Sequence, residues 1–267
     1  MCTIPPVPPP PPPPILEESK SPKKSASDQE APVRHLDVCQ WASDHQLWEA
    51  CAKYRVCLDK EPFRYKYKHF ESKIQVGPTC GLVALSMLFN DEITPDKLLN
   101  IAKTEGYTNN GEMFSCKNMM KLTEKILYLA EISNVKYNLK NSGLCSKEII
   151  EKLLEGAVLL VPYDADFNHS PCLKKGHTAH WALVCGVIIC EDPRDTYEDP
   201  DNVYVLCKHG KSRYLAVWKL DDLDKSNKNL IEFSPKRGGE EWIYILPEGG
   251  VGGANGLKDQ FLIYEGF

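Results

Sequence analysis

A cysteine at the predicted start of an apolar helix is the residue of this chain best suited to covalent chemistry. Cys80 follows Gly77, Pro78 and Thr79, and an almost wholly apolar run, residues 81–88, begins directly after it. Gly and Pro interrupt any preceding element and Thr is a frequent N-cap, so the pattern places Cys80 in the first turn of a buried helix. Unpaired N–H groups and the helix dipole favour a thiolate there. With a neighbouring His⁺ they lower a cysteine pKa from about 8.5 to roughly 3.5–7.5.

Two more side chains complete a pattern typical of Cys/His hydrolases. Gln75 lies just upstream, where its amide could join the Cys80 N–H in facing an oxyanion, and His180 directly precedes an apolar segment. A papain-type hydrolase needs such a histidine as base. His177 competes for the role, but the start of a strand puts His180 at the rim of a sheet. The alternative is that Cys80 and His180 are ordinary core residues, since free cysteine is among the most buried types.

The group that orients the histidine has two candidates. Asp192 is twelve residues past His180. In a continuous strand, at about 3.3 Å per residue, the two would lie roughly 40 Å apart, too far for a hydrogen bond. The strand that returns from this one brings His209 back towards His180, which makes His209 a candidate. A bend in the strand would instead restore Asp192 or Asp195.

Composition limits the classes of function. The chain has 267 residues, 42% of them apolar, a formal net charge of −5 and a pI near 5.9. This length supports one substantial core, and the acidic balance argues against nucleic acid as a partner. The chain has neither a run of 18 apolar residues nor a secretory signal pattern. We therefore expect a soluble cytoplasmic protein that does not bind a membrane.

The eleven cysteines do not predict a disulfide scaffold. Their number is odd and the chain is long, so we expect thiols in a reducing compartment. There is no Cys-x-x-Cys pair. Cys172, His177 and His180 come closest to a metal cluster, but they lack a fourth ligand at a usual spacing. No metal and no other cofactor is therefore expected.

The first 36 residues differ in composition from the rest. Pro5–Pro14 is nearly all proline and predicts a polyproline II rod, and residues 17–34 are charged and poor in apolar groups. We expect a disordered proline-rich tether over 1–36 and one folded domain over 37–267. The proline run is either a stiff spacer or, as we favour, a ligand for an aromatic-lined groove on a partner.

The sequence of residues 37–267 predicts mainly helices in its first half and mainly β-strands in its second half. Trp41, Trp48, Ala52 and Val56 form a helical stripe, and helices are predicted after Thr94, Ser115 and Ser146. Residues 64–70 are a short strand or a loop. Buried strands are predicted at 157–161, ended by Pro162, and at 181–189, with a hairpin over 203–218 and a last strand at 242–246. A helical half that carries Cys80, packed on an antiparallel sheet that carries His180, is an α+β layout.

Five stretches of the sequence resemble one known family. They are GPTCGLVAL (77–85), GYTNNGEMFS (106–115), VPYDADFNH (161–169), KGHTAHWA (175–182) and KHGKS (208–212). Together they are similar to the actin maturation proteases, and the likeness extends over residues from about 70 to 235. The resemblance implies a papain-like domain similar to bacteriocin-processing cysteine peptidases, with Cys80 as nucleophile and His180 as its histidine.

The resemblance also implies a reaction and partners. Members of the family remove the N-acetylated first residue, acetyl-Met or acetyl-Cys, from newly made actin, so a cysteine aminopeptidase is expected. The proline-rich segment of the family is associated with profilin, and Pro5–Pro14 resembles it. Because actin N-termini are acidic, the cleft is expected to carry a basic lip. Its predicted members are Lys174, Lys175, Lys208, Lys211 and Arg213.

Two other classes of function stay open at this point. One is a non-catalytic module that binds actin or profilin through the proline tether and the folded domain. The other is a different Cys/His enzyme on the same fold, similar to a deubiquitinase or a transglutaminase.

Overall fold

The computed structural model describes residues 38–89, 93–194, 197–234 and 243–267, all within one unit, residues 36–267. The helices there are α1 (His45–Tyr54), α2 (Cys80–Leu88), α3 (Pro95–Thr104), α4 (Cys116–Leu129), α5 (Lys147–Leu154) and α6 (Leu220–Lys228). The strands are β1 (Arg64–Tyr67), β2 (Lys136–Asn141), β3 (Val158–Asp164), β4 (Ala179–Ile189), β5 (Val203–His209), β6 (Ala216–Lys219) and β7 (Gln260–Glu265). The proline run Pro5–Pro14, the tether up to residue 36 and Asp195 lie outside the described residues.

The strands form one antiparallel sheet in the order β2-β7-β3-β4-β5-β6. The long strand β4 lies at its centre. Along one edge of β4, β3 pairs with Ala179–Val184 and β1 pairs with Gly186–Ile189, while β5 pairs along the other edge. The predicted α+β class is therefore confirmed, with the sheet antiparallel throughout.

The two faces of the sheet bury two different clusters. Trp181 and Leu183 point to the cluster packed with α1–α4, and Ala182 and Val184 point to the cluster packed with α5 and α6. This alternation follows from the period of two along a strand. A register irregularity between Val184 and Gly186 shifts it, as expected of a bulge.

Helix α2 is buried on every side, which explains its continuous apolar sequence. Residues Gly81–Leu88 are all buried. A Cβ on Gly81 would lie 2.8 Å from Met119 Cε and 3.0 Å from Trp181 Cδ1. Only glycine therefore lets the start of α2 approach the indole ring on β4.

The predicted helix ends are confirmed for α3, α4 and α5. The side chains of Thr94, Ser115 and Ser146 accept hydrogen bonds from the N–H groups three residues ahead, as N-caps do. Gly106 and Gly156 follow the ends of α3 and α5 with positive φ. Local capping chemistry was therefore a sound guide to these boundaries.

Three strand predictions need correction or completion. Residues 243–246, predicted as a strand, are irregular; Trp242 lies outside the described residues. Strand β3 does not end at Pro162 but continues to Asp164. Beyond Leu160 it pairs with β4 alone, so the missing N–H of Pro162 falls where no strand neighbours it, and Asn227 Nδ2 donates to its carbonyl. The alternating residues 64–67 are strand β1.

The predicted helical stripe is also wrong. Helix α1 covers only residues 45–54, and Leu47, Ala50 and Cys51 form its buried face. Trp41 and Val56 lie outside it, and the Trp48 indole, which is half-buried, donates to the Val38 carbonyl. Over the described residues, none of the helices has the length and apolar character needed to cross a bilayer.

Candidate active site

Cys80 is the first residue of α2, as predicted, and it opens onto a cleft. Thr79 holds the N-cap position, yet its hydroxyl donates to the Val76 carbonyl at 2.9 Å and makes no side-chain cap bond. The N–H groups of the first turn are thus not capped by Thr79. Cys80 itself is half-buried and lines a cleft of about 430 Å³.

The surroundings of the sulfur differ from the expected thiolate site. Burial raises the pKa of the Cys80 thiol to about 11. Hydrogen bonds from the backbone N–H groups of Trp181 and Gly81, together with the Lys211 charge, act in the opposite direction but do not outweigh burial. In the unliganded protein the thiol is therefore neutral near pH 7, and it needs a base to become a nucleophile.

His180 lies near the start of β4, in the same cleft as Cys80. It is the second residue of the strand, is 6% exposed and lines the same cleft as Cys80. The next residue, Trp181, directs its backbone N–H at the Cys80 sulfur. The structure thus brings the two residues that the sequence predicts to react into one cleft.

His209 lies next to His180 and forms part of a histidine cluster. The two ring centroids are 5.8 Å apart, and the His169 ring lies 6.1 Å from His180 and 5.7 Å from His209. Burial, assisted by the charges of His169 and Lys211, lowers the pKa of His209 to about 4. His209 is therefore a neutral imidazole near pH 7.

The other candidate for the third position lies elsewhere. Asp192 is exposed beyond the far end of β4, and its carboxylate accepts from the Arg194 N–H at 2.9 Å. Nine strand positions separate His180 from the end of β4 at Ile189, which at about 3.3 Å each is roughly 30 Å. The bulge in β4 does not bring Asp192 back towards the cleft.

Gln75 lines the cleft, and backbone bonds hold it. Its N–H donates to the Gly210 carbonyl at 2.8 Å, which ties it to the turn that follows His209. Its side-chain amide donates to the Gly77 carbonyl at 2.7 Å. One amide hydrogen is thus engaged within the chain, and the buried Oε1 has no hydrogen-bond partner among the described residues.

The opposite wall of the cleft is aromatic. Phe114 and Phe233 have ring centroids 5.0 Å apart, and Tyr244 lies 4.9 Å from Phe233 and 6.1 Å from Phe114. All three line the cleft with Cys80 and His180. We call these three residues the aromatic wall; it can receive an apolar side chain of a substrate.

The predicted basic lip is present only in part. Lys211 is exposed and lines the cleft, but Lys208 is 1% exposed and donates to Gln46 Oε1 and Ser72 Oγ, so it cannot meet a substrate. The side chain of Lys208 points into the protein from β5. The neighbouring residues in the sequence did not indicate this orientation. Lys174 and Lys175 form ion pairs with Asp166 and Glu232. Arg213 is exposed.

His177, the competing histidine, is engaged in an ion pair. Its Nε2 lies 2.9 Å from Glu232 Oε2, and half of its side chain is exposed. Within the described ranges, no group of three or more His, Cys, Asp or Glu side chains is arranged to hold a metal ion.

Sequence reasoning missed two residues of this site. Glu112 and His169 both lie in the quoted motifs, but neither was considered as a functional residue. Glu112 is 5% exposed and lines the cleft. A carboxylate at the end of a Gly/Asn-rich turn, two residues before the aromatic Phe114, was the available signal.

Comparison with known proteins places the chain in a family. A family model described as "Actin maturation protease-like, C-terminal domain" matches residues 70–188, a range that contains Gln75, Cys80 and His180. A Drosophila melanogaster protein named actin maturation protease is 42% identical over 250 residues, which cover 92% of this chain and 89% of that protein. The chain belongs to the actin maturation protease family.

Vertebrate proteins of the actin maturation protease family match over a smaller share of their length. One from Xenopus tropicalis is 34% identical, over 74% of this chain and 72% of its own. One from Homo sapiens is 35% identical, over 67% of this chain and 60% of its own. The family model for actin maturation proteases ends before His209, so a role for His209 is supported by the geometry of the structure alone.

Proposed function

We propose that this protein is a peptidase of the cysteine type that removes the N-acetylated first residue, acetyl-Met or acetyl-Cys, from newly made actin. One observation carries the chemistry: Cys80, the first residue of α2, and His180, the second residue of β4, line the same cleft. The names of the relatives support the peptidase activity and the actin substrate.

The mechanism starts from a neutral thiol. A thiol with a pKa of about 11 is ionised in roughly one molecule in 10⁴ at pH 7, so His180 takes the proton as the sulfur attacks. The sulfur bonds to the carbonyl carbon of the acetylated residue, and the carbonyl oxygen becomes an oxyanion. His180 then protonates the leaving amine, and water hydrolyses the acyl-enzyme.

The oxyanion is held at the start of α2. The Cys80 N–H and the second amide hydrogen of Gln75 are the proposed donors. Removing one such donor typically lowers the rate by 10²–10³. The positive end of the α2 dipole acts on the same oxygen.

His209 is the proposed orienting group for His180. A neutral imidazole has one N–H and one acceptor nitrogen, and His209 Nδ1 already accepts from the Lys211 N–H at 3.3 Å. Its Nε2 then carries the proton. The adjacent ring position supports His209 over Asp192.

Three further parts of the proposal concern the whole protein. The helix-on-sheet layout with the nucleophile at the start of a buried helix supports a papain-like domain. We also propose that Pro5–Pro14 binds profilin. The cytoplasm is the proposed compartment, because actin is made there.

A peptide assay tests the activity. Peptides with an acetylated actin-like N-terminus are incubated with the wild-type protein and with Cys80→Ala, and release of acetyl-Met is followed by mass spectrometry. Wild-type release with loss of at least about 10³-fold in the variant is expected. Cys145→Ala, which removes an exposed thiol, is the control. Normal trimming by Cys80→Ala would refute the enzyme in favour of a binding module, and faster cleavage of a ubiquitin conjugate would favour the deubiquitinase class.

Profilin binding needs a separate measurement. Deleting residues 1–20 should abolish capture of the protein on immobilised profilin while peptide cleavage continues. Undiminished capture would remove the proline run from the proposal.

A further inference from the structure

A buried carboxyl group faces the cleft, and the mechanism above does not use it. Glu112 Oε1 accepts from Asn110 Nδ2 at 3.3 Å, whereas Glu112 Oε2 has no partner within hydrogen-bond distance among the described residues, although the Thr108 hydroxyl and the N–H groups of Asn110 and Glu112 lie close enough to lower the pKa of the carboxyl. The side chain is 5% exposed and lines the same cleft as Cys80. Leaving a buried polar atom unpaired is unfavourable, so an unpaired oxygen in a cleft points to a ligand.

Two contacts fix Glu112 beside the reacting residues. A Cβ on the preceding Gly111 would lie 2.6 Å from Thr79 Cγ2, so the loop packs against the residue before the nucleophile. The carbonyl of the following Met113 accepts from Trp181 Nε1 at 2.9 Å, next to the histidine. Glu112 is therefore anchored on both sides by neighbours of the residues that react.

We propose that Glu112 binds the acetyl group of the substrate, donating a hydrogen bond from Oε2 to the acetyl carbonyl oxygen, and so selects an acetylated over a free amino terminus. This assignment rests on the proposed function. The acetamide nitrogen of the first residue is bonded to the Cα next to the scissile carbonyl, so the acetyl group must lie within a few ångströms of the Cys80 sulfur when that sulfur attacks. Glu112 lines the cleft that contains Cys80.

The chemistry of the cleft fits a neutral acetamide better than an ammonium. Burial raises the pKa of the Glu112 carboxyl against hydrogen bonds from its own N–H, Asn110 and Thr108, and this shifts the carboxyl towards the neutral form with its O–H donor. Because Asn110 donates to Oε1, the hydroxyl is left on Oε2. Lys211 lines the same cleft, and its charge repels a second cation.

The aromatic wall accounts for the side chain of the same residue. Phe114 is two residues from Glu112 and packs with Phe233 and Tyr244. Sulfur next to an aromatic ring makes favourable contacts. The side chains of acetyl-Met and acetyl-Cys both contain sulfur, so the aromatic wall can receive either residue. Glu112 binds the acetyl group that the two residues share.

Paired peptides that differ only in acetylation test the assignment. The kcat/KM for each is measured with the full-length wild-type protein, Glu112→Ala, Glu112→Gln and Glu124→Gln, the last being an exposed residue on α4. Glu112→Ala is expected to lower kcat/KM on the acetylated peptide by about 10- to 100-fold and to leave the free peptide within about threefold. Glu112→Gln, whose amide can still accept from Asn110 and donate into the cleft, should keep the selectivity within about threefold, as should Glu124→Gln.

Several results would overturn the assignment. Equal losses on both peptides with Glu112→Ala would show that Glu112 does not read the acetyl group, and a glutamine variant as impaired as alanine would exclude the neutral donor. If Glu112→Ala does not fold, the affinities of the two peptides for the inactive variant Cys80→Ala are compared instead. The acetylated peptide should bind at least about tenfold more tightly than the free peptide. Equal affinities would refute the assignment. A wild-type protein that cleaves neither peptide refutes the proposed function and this inference with it, whereas normal cleavage by Glu112→Ala refutes the inference alone.

Discussion

His180 and His209 lie side by side on neighbouring antiparallel strands, with ring centroids 5.8 Å apart. The register explains this: His209 pairs with Ala182, two residues past His180, so both side chains point to the same face of the sheet. On the opposite edge of β4, Tyr163 of β3 pairs with His180. Two strands that run in opposite directions thus place two distant histidines at one rim.

Replacing His180 tests the general base. His180→Ala should lower kcat on an acetylated peptide by about 10²–10⁴-fold, because a neutral thiol then lacks its proton acceptor. The matched variant His177→Ala, which removes an exposed ring paired with Glu232, should stay within about threefold of wild type. The roles would be reversed if His177→Ala were the more damaging change.

His209 should make folding stability depend on pH. Its pKa falls from 6.5 in the unfolded chain to about 4 in the folded protein, so between these values the unfolded chain binds more protons. This contribution is complete above pH 6.5 and is lost as the pH falls towards 4. At about 1.4 kcal/mol per pH unit, His209 alone should make the protein about 2 kcal/mol less stable at pH 5 than at pH 7.

Urea unfolding at the two pH values measures this effect. His209→Gln cannot be protonated, so its stability difference between pH 7 and pH 5 should be smaller than that of wild type by about 2 kcal/mol. His45→Gln, which changes a histidine outside the cleft, serves as control. An unchanged difference in His209→Gln would contradict a depressed pKa at this ring.

The elements around Cys80 were predictable because their signals are local. Ser115 and Ser146 cap helices through their own side chains, and the apolar run after Cys80 can only be buried. The C-terminal strand β7 was missed although residues 261–264 are all apolar. Its role depends on pairing with β2 and β3, which are far away in sequence.

The electrostatics of the site could not be read from sequence. The helix start correctly located Cys80, but the direction of its pKa shift depends on how deeply the surrounding chain buries the sulfur. Lys208 shows the same limit, because only the sheet register decides whether it faces solvent or the interior. Hydrogen bonds and dipoles are local, whereas desolvation is a property of the whole fold.

Gly111 should be essential for the approach of its loop to the nucleophile. A Cβ there would lie 2.6 Å from Thr79 Cγ2, and the residue has a φ of +120°. Gly111→Ala should therefore lower kcat/KM on an acetylated peptide by about tenfold or more by displacing the Glu112 carboxyl. Thr79→Ser removes the methyl group in the way, so the double variant should recover part of the loss; the backbone strain remains. Absence of any recovery would show that contact with Thr79 is not the cause.

Replacing Lys208 should change the stability of the protein, whereas replacing Lys211 should change the reactivity of Cys80. Lys208 is buried and bonds Gln46 and Ser72, so Lys208→Ala should destabilise the fold by about 2–4 kcal/mol in urea unfolding, through a cavity and lost hydrogen bonds. Lys208→Met, which fills the space, should lose less, because Gln46 and Ser72 keep bonds to Tyr67 and Arg213.

Lys211 is exposed and its charge lowers the pKa of the Cys80 thiol against the larger effect of burial. Lys211→Met should therefore leave stability unchanged but move the pH at which Cys80 is alkylated by iodoacetamide upwards. Its kcat/KM on an acidic actin-like peptide should fall and become less sensitive to salt, since screening then has no lysine charge to weaken. Lys208→Met should leave the alkylation profile in place. The opposite result would be an alkylation pH that rises in Lys208→Met but not in Lys211→Met. It would mean that the buried Lys208, rather than Lys211 in the cleft, sets the electrostatic potential at the Cys80 sulfur.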